Sequence, residues 1–217
     1  MSLVSRLEAL DACAVSDALD TLGLPGAVTG IRPLWPVDRV VAGRARTIQA
    51  APKSESTPGR HIASPLIAIA GEGDVAVIAN GGREDVSCFG GILAVAALQR
   101  GIAAVVIDGA CRDIAESDEL GLPVFGRAVV PVSARGRIVQ TAMDERIDFA
   151  GVTVDSGDYV IADRSGVVFV PAAEAERVVA LAERIVARER AMVEAVRAGE
   201  SVLDVMHDTR FPKAEED

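Results

Sequence analysis

The chain has 217 residues, half of them hydrophobic, which is enough for one large domain with a substantial core. Its formal net charge of −10 argues against a nucleic-acid surface, which needs clustered Lys and Arg to displace counterions from phosphates. Three widely spaced cysteines (Cys13, Cys88, Cys111) fit neither a disulfide framework nor a zinc ligand set, and no window approaches the roughly 20 apolar residues of a membrane span.

The beginning of the sequence shows no basic segment followed by an apolar stretch, so the chain reads as cytoplasmic, a single domain over 1–217. Residues 1–38 are expected to be helical and then loop. Leu3, Leu7 and Leu10, then Val15, Ala18, Leu19 and Leu22, keep helical spacing until Gly23 and Pro25, and residues 26–36 follow as loop. A mixed β/α core is expected over 39–171. Residues 40–50 read as a strand, and 75–79 as a short buried strand after the turn Gly71-Glu72-Gly73-Asp74. Phe89, Ile92, Leu93, Ala96 and Ala97 fall at helical spacing and Gly101 closes that helix. Residues 103–107 form the next apolar strand, ending at Asp108-Gly109, and 113–120 a short helix closed by Gly121. Strand, helix, strand in this order predicts parallel neighbours with ligands outside their carboxyl ends.

Beyond Pro123 the pattern becomes short strands at 124–125, 138–141, 159–162 and 167–170, with a hairpin turn at 163–166. A long helix over 172–199 carries Val178, Leu181, Ile185, Met192 and Val196 on one stripe, suited to packing on a neighbouring subunit as well as on its own sheet. A tail over 200–217 ends in charged residues.

The sharpest local chemistry is Gly90-Gly91 at the start of the predicted 89–100 helix. A helix N-terminus offers free N–H groups and partial positive charge to an anion, and glycine lets a ligand approach the main chain; the same glycines also suit close helix-to-sheet packing. Asp108-Gly109-Ala110-Cys111-Arg112-Asp113 follows the next strand and should emerge at the same end of the sheet. Arg112 can hold a carboxylate or an enolate oxygen with its fork of donors, and Asp113 offers hard oxygen ligands for magnesium or manganese. The plainer alternative makes Asp113 a helix N-cap with Glu116 closing a capping box, and Arg112 a surface ion-pair partner. His61 and His207 are far apart and read as surface or packing residues. Cys111 reads as a small buried hydrophobe. The glycine pairs make neither a Walker loop nor a dinucleotide fingerprint, which argues against nucleotide binding and methyl transfer.

Several segments together carry a resemblance: Val15-Ser16-Asp17-Ala18-Leu19-Asp20; Gly90-Gly91-Ile92-Leu93-Ala94; Gly101-Ile102-Ala103 running into the Asp108 to Asp113 segment; Gly121-Leu122-Pro123-Val124-Phe125; and Gly157 to Asp163 with Gly166-Val167-Val168. Over nearly its whole length the chain resembles the regulator of ribonuclease activity A family, which includes the 4-hydroxy-4-methyl-2-oxoglutarate and 4-carboxy-4-hydroxy-2-oxoadipate aldolases. The resemblance implies an α/β fold, a three-layer β/β/α swivelling-type domain with a long C-terminal helix, assembled as a trimer or hexamer with sites near subunit boundaries. It implies a small oxo-acid substrate and a divalent metal, Mg or Mn. The main chain of Gly90, Gly91, Ile92 and Leu93 would cradle the pyruvate carboxylate, Arg112 would stabilise the enolate, and Asp113 would hold the metal directly or through water. Glu189, from a neighbouring subunit's last helix, would approach the site.

The implied reaction is pyruvate-releasing aldol cleavage, or oxaloacetate decarboxylation through the same enolate. One departure stands out. The aldolases carry an acidic residue where this chain has Gly91, and Glu84 or Asp85 in the preceding loop could compensate. The rival reading is a non-catalytic regulator that docks onto a ribonuclease or helicase, its acidic surface suited to a basic partner segment.

Overall fold

The computed structural model describes residues 1–56 and 59–207; the tail expected at 200–217 lies outside the described residues from 208 onward. In chain order the elements are α1 (Leu3–Leu7), α2 (Ala12–Thr21), β1 (Ala27–Val28), β2 (Arg32–Pro33), β3 (Val41–Pro52), α3 (Ser64–Ile67), β4 (Asp74–Ser87), α4 (Gly91–Gln99) and β5 (Ala104–Cys111). They continue with α5 (Ile114–Glu119), β6 (Val124–Gly126), β7 (Ala128–Val129), β8 (Ile138–Met143), β9 (Ile147–Phe149), β10 (Val152–Val154), β11 (Tyr159–Asp163), β12 (Gly166–Val170), α6 (Ala175–Arg197) and α7 (Val202–Val205).

The main sheet runs β1-β12-β11-β3-β4-β5-β6-β2, with β7 on β5 and β8 on β3. Its centre is parallel, β3 to β4 to β5 to β6, as the crossover pattern predicts. β1 and β2 stand at opposite ends of this order yet only residues 29–31 separate them. At about 3.5 Å per residue that linker spans at most ~14 Å, so the sheet is strongly curled.

Strand alternation assigns each face its cover. Val75, Val77 and Ala79 of β4, Ala104 and Val106 of β5, and Val160 and Phe169 of the β11–β12 hairpin point inward and pack on the β9–β10 hairpin through Ile147, Phe149, Val152 and Val154. The opposite residues, Ala76, Ile78, Val105 and Ile107, meet Leu66 and Ile67 of α3 and Ala94 and Ala97 of α4. On the β11–β12 side, Tyr159, Ile161, Val168 and Val170 carry α1, α2 and α6. Hairpin, sheet and helices form the three layers. Each fully buried Val or Ile contributes about 1.5–3 kcal/mol, which makes this alternation the main determinant of register.

Several boundaries differ from the sequence reading, each for a local reason. The first helical stretch is two helices, because the Asp11 side chain caps α2 through the Ala14 N–H at 2.9 Å. β4 does not stop at Ala79; Gly81 and Gly82 (φ +62° and +72°) lie in a first register shift against β5, a second falls between Arg83 and Ser87, and the strand runs on to Ser87. β5 likewise continues past Asp108 to Cys111, because Gly109 lets the main chain of Arg83 approach where a Cβ would come within 2.9 Å of its carbonyl oxygen. The β9–β10 hairpin, the short α3 and the two-residue strands inside 26–36 have no counterpart in the sequence reading. α6 is one continuous helix with Val178, Leu181, Ile185 and Met192 buried, whereas Val196 is exposed and leaves the stripe. Part of the expected tail is the short helix α7, with Val205 buried.

Candidate functional site

β4 and β5 are adjacent and parallel, so the segments that follow them leave the sheet at one end. Three contacts tie those segments together. The Cys88 N–H donates to the Ala110 carbonyl at 2.9 Å, the Arg112 N–H to the Phe89 carbonyl at 3.0 Å, and the Cys111 thiol to the same Phe89 carbonyl at 3.4 Å. The Gly90–Leu93 main chain and the Arg112-Asp113 pair are thereby held side by side, lining a cleft of about 220 Å³ with His61, Ile62, Ser87, Cys88, Phe89 and residues 133–135.

Gly90 occupies the N-cap of α4 in extended conformation, so its identity answers to space and not to φ. A Cβ there would stand 2.7 Å from Asp113 Oδ2 and 2.9 Å from Arg112 Cγ. Gly91, the first helical residue, donates its N–H to Asp113 Oδ2 at 3.1 Å. The Ile92 and Leu93 N–H groups follow in the first turn, where an α-helix supplies no acceptor of its own. Leu93 is half-buried and Ile92 is 89% exposed.

Asp113 holds the N-cap position of α5 but caps nothing with its side chain. Its backbone is left-handed (φ 54°), which an Asp tolerates better than most residues, and this turns the carboxylate back onto α4. Both carboxylate oxygens lie 3.1 Å from Arg112 Nε. The capping-box alternative therefore fails, and the surface-pair alternative for Arg112 is replaced by a pair with Asp113 inside the cleft, both groups about one-third exposed (37% and 30%).

Glu116 takes a different place. A Cβ at Gly91 would fall on the Glu116 carboxylate, so position 91 is open only because it is glycine, and an acidic side chain from α5 fills that space. Glu84 and Asp85 do not line the cleft. Asp85 pairs with Arg83 at 2.8 Å, and that guanidinium holds its carboxyl below the ordinary range.

Two cleft residues escaped the sequence reading. His61, read as a surface or packing residue, lines the cleft with its Nδ1 3.0 Å from the Ile62 carbonyl oxygen. Arg135, in the loop before β8, lines it as well. No spacing rule links residues 61 or 135 to residue 112; residue 61 follows β3, the parallel neighbour of β4, and residue 135 precedes β8, whose first residue pairs with the end of β3 (Pro52 with Ile138). Glu189 does not line the cleft: it sits on α6, where partial desolvation, followed by Asp11 and Asp17, raises its pKa. Cys88 and Cys111 are buried, and burial pushes both thiols up to about 12, so they are protonated at neutral pH.

Among the described residues no group of three or more His, Cys, Asp or Glu side chains gathers to hold a metal. Such a set suits zinc poorly, since zinc takes three or four protein ligands. Magnesium and manganese differ: one or two carboxylates suffice when waters and the substrate complete the shell. Asp113 retains one acceptor position on Oδ1 after its contacts with Arg112 and Gly91, so the donor set fits a hard divalent cation. Among the described residues no helix is long and apolar enough to cross a membrane.

Comparison with known proteins gives the family. "Protein DlpA" of Legionella pneumophila is 28% identical over 207 residues, covering 95% of this chain, which spans 34% of that protein's length. A protein of Halalkalibacterium halodurans named "Putative 4-hydroxy-4-methyl-2-oxoglutarate aldolase" is 32% identical, covering 95% of this chain and 96% of its own. The structure of Streptomyces coelicolor RraAS2, described as an unusual member of the RNase ES inhibitor RraA protein family, superposes with a TM-score of 0.75 at 26% identity, covering 94% of this chain and 96% of that one. The RraA-like family model, described as Aldolase/RraA, matches residues 12–169, from the first residue of α2 into β12 and so across the whole cleft. The chain belongs to the RraA-like family.

Proposed function

We propose that this protein is a divalent-metal-dependent lyase, an aldolase of the class II type that cleaves 4-hydroxy-2-oxo acids to release pyruvate and decarboxylates oxaloacetate through the same enolate. One observation carries the reading: the α4 N-terminal main chain, Arg112 and Asp113 converge in one small cleft. The name of the Halalkalibacterium relative supports it.

Each residue has a role that follows from its chemistry. The Ile92 and Leu93 N–H groups, at the positive end of α4, bind the substrate carboxylate. Arg112 places a permanent cation where negative charge develops on the 2-oxo oxygen as the enolate forms. Asp113, oriented by Gly91 and Arg112, holds the metal, with Mg or Mn the fitting choices. When bound, the metal supplies Lewis-acid polarisation of the 2-oxo group. Ile62, Phe89 and Leu93 give the cleft apolar walls that exclude water from the enolate.

The protein works in this reading as a cytoplasmic homo-oligomer, a trimer or hexamer. α4 supports an oligomer: it is apolar all round, yet a single chain leaves Ile92, Val95 and Leu98 at 89%, 45% and 36% exposure. Glu189 is the residue by which a neighbouring subunit would reach the site.

The test is pyruvate release from a panel of 4-hydroxy-2-oxo acids and oxaloacetate with manganese. Asp113→Ala should abolish turnover, and Arg112→Ala should lower kcat by about 10²–10³-fold, the usual effect of removing one oxyanion donor. Unchanged activity in both variants refutes the site. The second reading, a non-catalytic regulator that binds a ribonuclease, is favoured by the description of the Streptomyces structure. It predicts a metal-independent protein complex and no pyruvate.

A further inference from the structure

The side chains of Arg112 and Asp113 are folded onto each other. Arg112 Nε lies 3.1 Å from both carboxylate oxygens, so a single shared N–H occupies the side of Asp113 between them. The Gly91 N–H takes a further position on Oδ2 at 3.1 Å. Among the described residues the Arg112 guanidinium has no other partner, and its two Nη groups stay available. The pair closes over Gly90, where a Cβ would stand 2.7 Å from Asp113 Oδ2 and 2.9 Å from Arg112 Cγ.

Both uses proposed for these side chains compete with the closed pair. A divalent cation on Asp113 needs the lone pairs that Nε–H now shares, and it would stand beside a permanent positive charge. An oxo-acid seated on the α4 N-terminus offers Arg112 other acceptors, which its planar fork can meet with two N–H groups in place of one shared N–H. Arg112 is 37% exposed, so it has room to swing. Asp113 stays behind, held against α4 by the Gly91 N–H.

We infer that Arg112 is a latch on the metal position: closed on Asp113 in the free protein, it is drawn off by the oxo-acid, so that substrate opens Asp113 to the cation. The inference rests on the lyase reading above. By linkage, cation and oxo-acid each tighten the binding of the other by the same factor.

The experiment follows binding, not turnover: manganese uptake by the full chain, read from the electron paramagnetic resonance of the free ion, with and without oxalate. Oxalate chelates manganese by itself, so the decisive comparison is Arg112→Lys. Lysine keeps the charge but places a methylene, Cε, where Nε–H stood. It should bind manganese alone about 3–5-fold tighter than wild type, the weight of a partly exposed ion pair, and its gain on adding oxalate should shrink by the same factor. A second measurement needs no variant protein to bind anything. The Arg112 Nε–H resonance of the wild type, assigned by its loss in Arg112→Lys, should shift on adding saturating oxalate without metal.

An Arg112→Lys protein that binds manganese no tighter than wild type, while Arg112→Met does, overturns the latch and leaves only charge repulsion. A Nε–H resonance unmoved by oxalate overturns it as well. A wild type that takes up no manganese even with oxalate refutes the metal-dependent lyase reading itself. Uptake by the wild type with oxalate, together with an unchanged Arg112→Lys, refutes the latch alone.

Discussion

Replacing Gly90 by alanine adds one methyl group at the point where the two halves of the cleft touch. The backbone at Gly90 is extended (φ −165°, ψ −177°), so alanine meets no conformational penalty there. The cost is steric. The new Cβ would lie 2.7 Å from Asp113 Oδ2, 2.9 Å from Arg112 Cγ and 3.3 Å from Arg112 Cδ, against an optimum near 3.5–4.0 Å for nonbonded contact. Both side chains must therefore move by roughly 1 Å, and the 3.1 Å bond from Gly91 to Asp113 must lengthen or break.

Overpacking costs about 1–3 kcal/mol. Arg112 and Asp113 are each about one-third exposed and can swing into the cleft, which puts the cost near the lower figure. For a domain of this size ~1 kcal/mol corresponds to about 2–4 °C in Tm. Catalysis should suffer out of proportion, since a displacement of about 1 Å costs roughly 10²-fold in rate. Thermal unfolding followed by the fluorescence of Trp35, packed with its Nε1 3.0 Å from the Leu122 carbonyl oxygen, measures the first effect, and coupled pyruvate detection the second. A Gly90→Ala variant with wild-type kcat would refute the reasoning, and so would one whose rate loss is accounted for by unfolding.

The remaining expectations concern charge and thiols. Partial desolvation, then Asp11 and Asp17, raises the pKa of Glu189 above its ordinary 4.5, so the native state binds this proton more tightly than the unfolded chain and the ionised group costs stability at neutral pH. Glu189→Gln should therefore raise Tm slightly at pH 7, the side chain being exposed, with the gain fading as pH falls and absent below about 4.5; a gain that persists at low pH contradicts the assigned cause. Native protein at pH 7.5 should lose one thiol, Cys13, to a maleimide or disulfide reagent, and Cys88 and Cys111 should react only after unfolding. Rapid native modification of Cys111 would show that the Phe89–Arg112 junction opens.

The cleft was legible in outline because two local rules point the same way. Adjacent parallel strands release their following segments at one end, and Gly90-Gly91 and Arg112-Asp113 each follow such a strand. α6 was legible because its apolar stripe is long and regular. What was hidden depended on partners far away in sequence. Gly81-Gly82 looks like a strand terminator, yet here it is a bulge that lets β4 continue to Ser87. The three-residue strands β9 and β10 have too short a pattern to read, although Phe149 is fully buried against Phe169. Glu116 matched a capping box by spacing, but the backbone of Asp113 is left-handed and its carboxylate accepts from the Gly91 N–H of α4 instead of capping α5. His61 and Arg135 reach the cleft from the end of β3, where β8 begins beside it in a pairing between segments far apart in sequence.

The most direct test of the site is a crystal structure with manganese and oxalate, a planar mimic of the pyruvate enolate. It should show the metal bound to Asp113, with oxalate chelating it, one carboxylate on the Ile92 and Leu93 N–H groups and Arg112 on the oxygen that stands for the enolate. Metal and oxalate bound elsewhere, or a cleft that stays empty at saturating concentrations of both, would contradict the account.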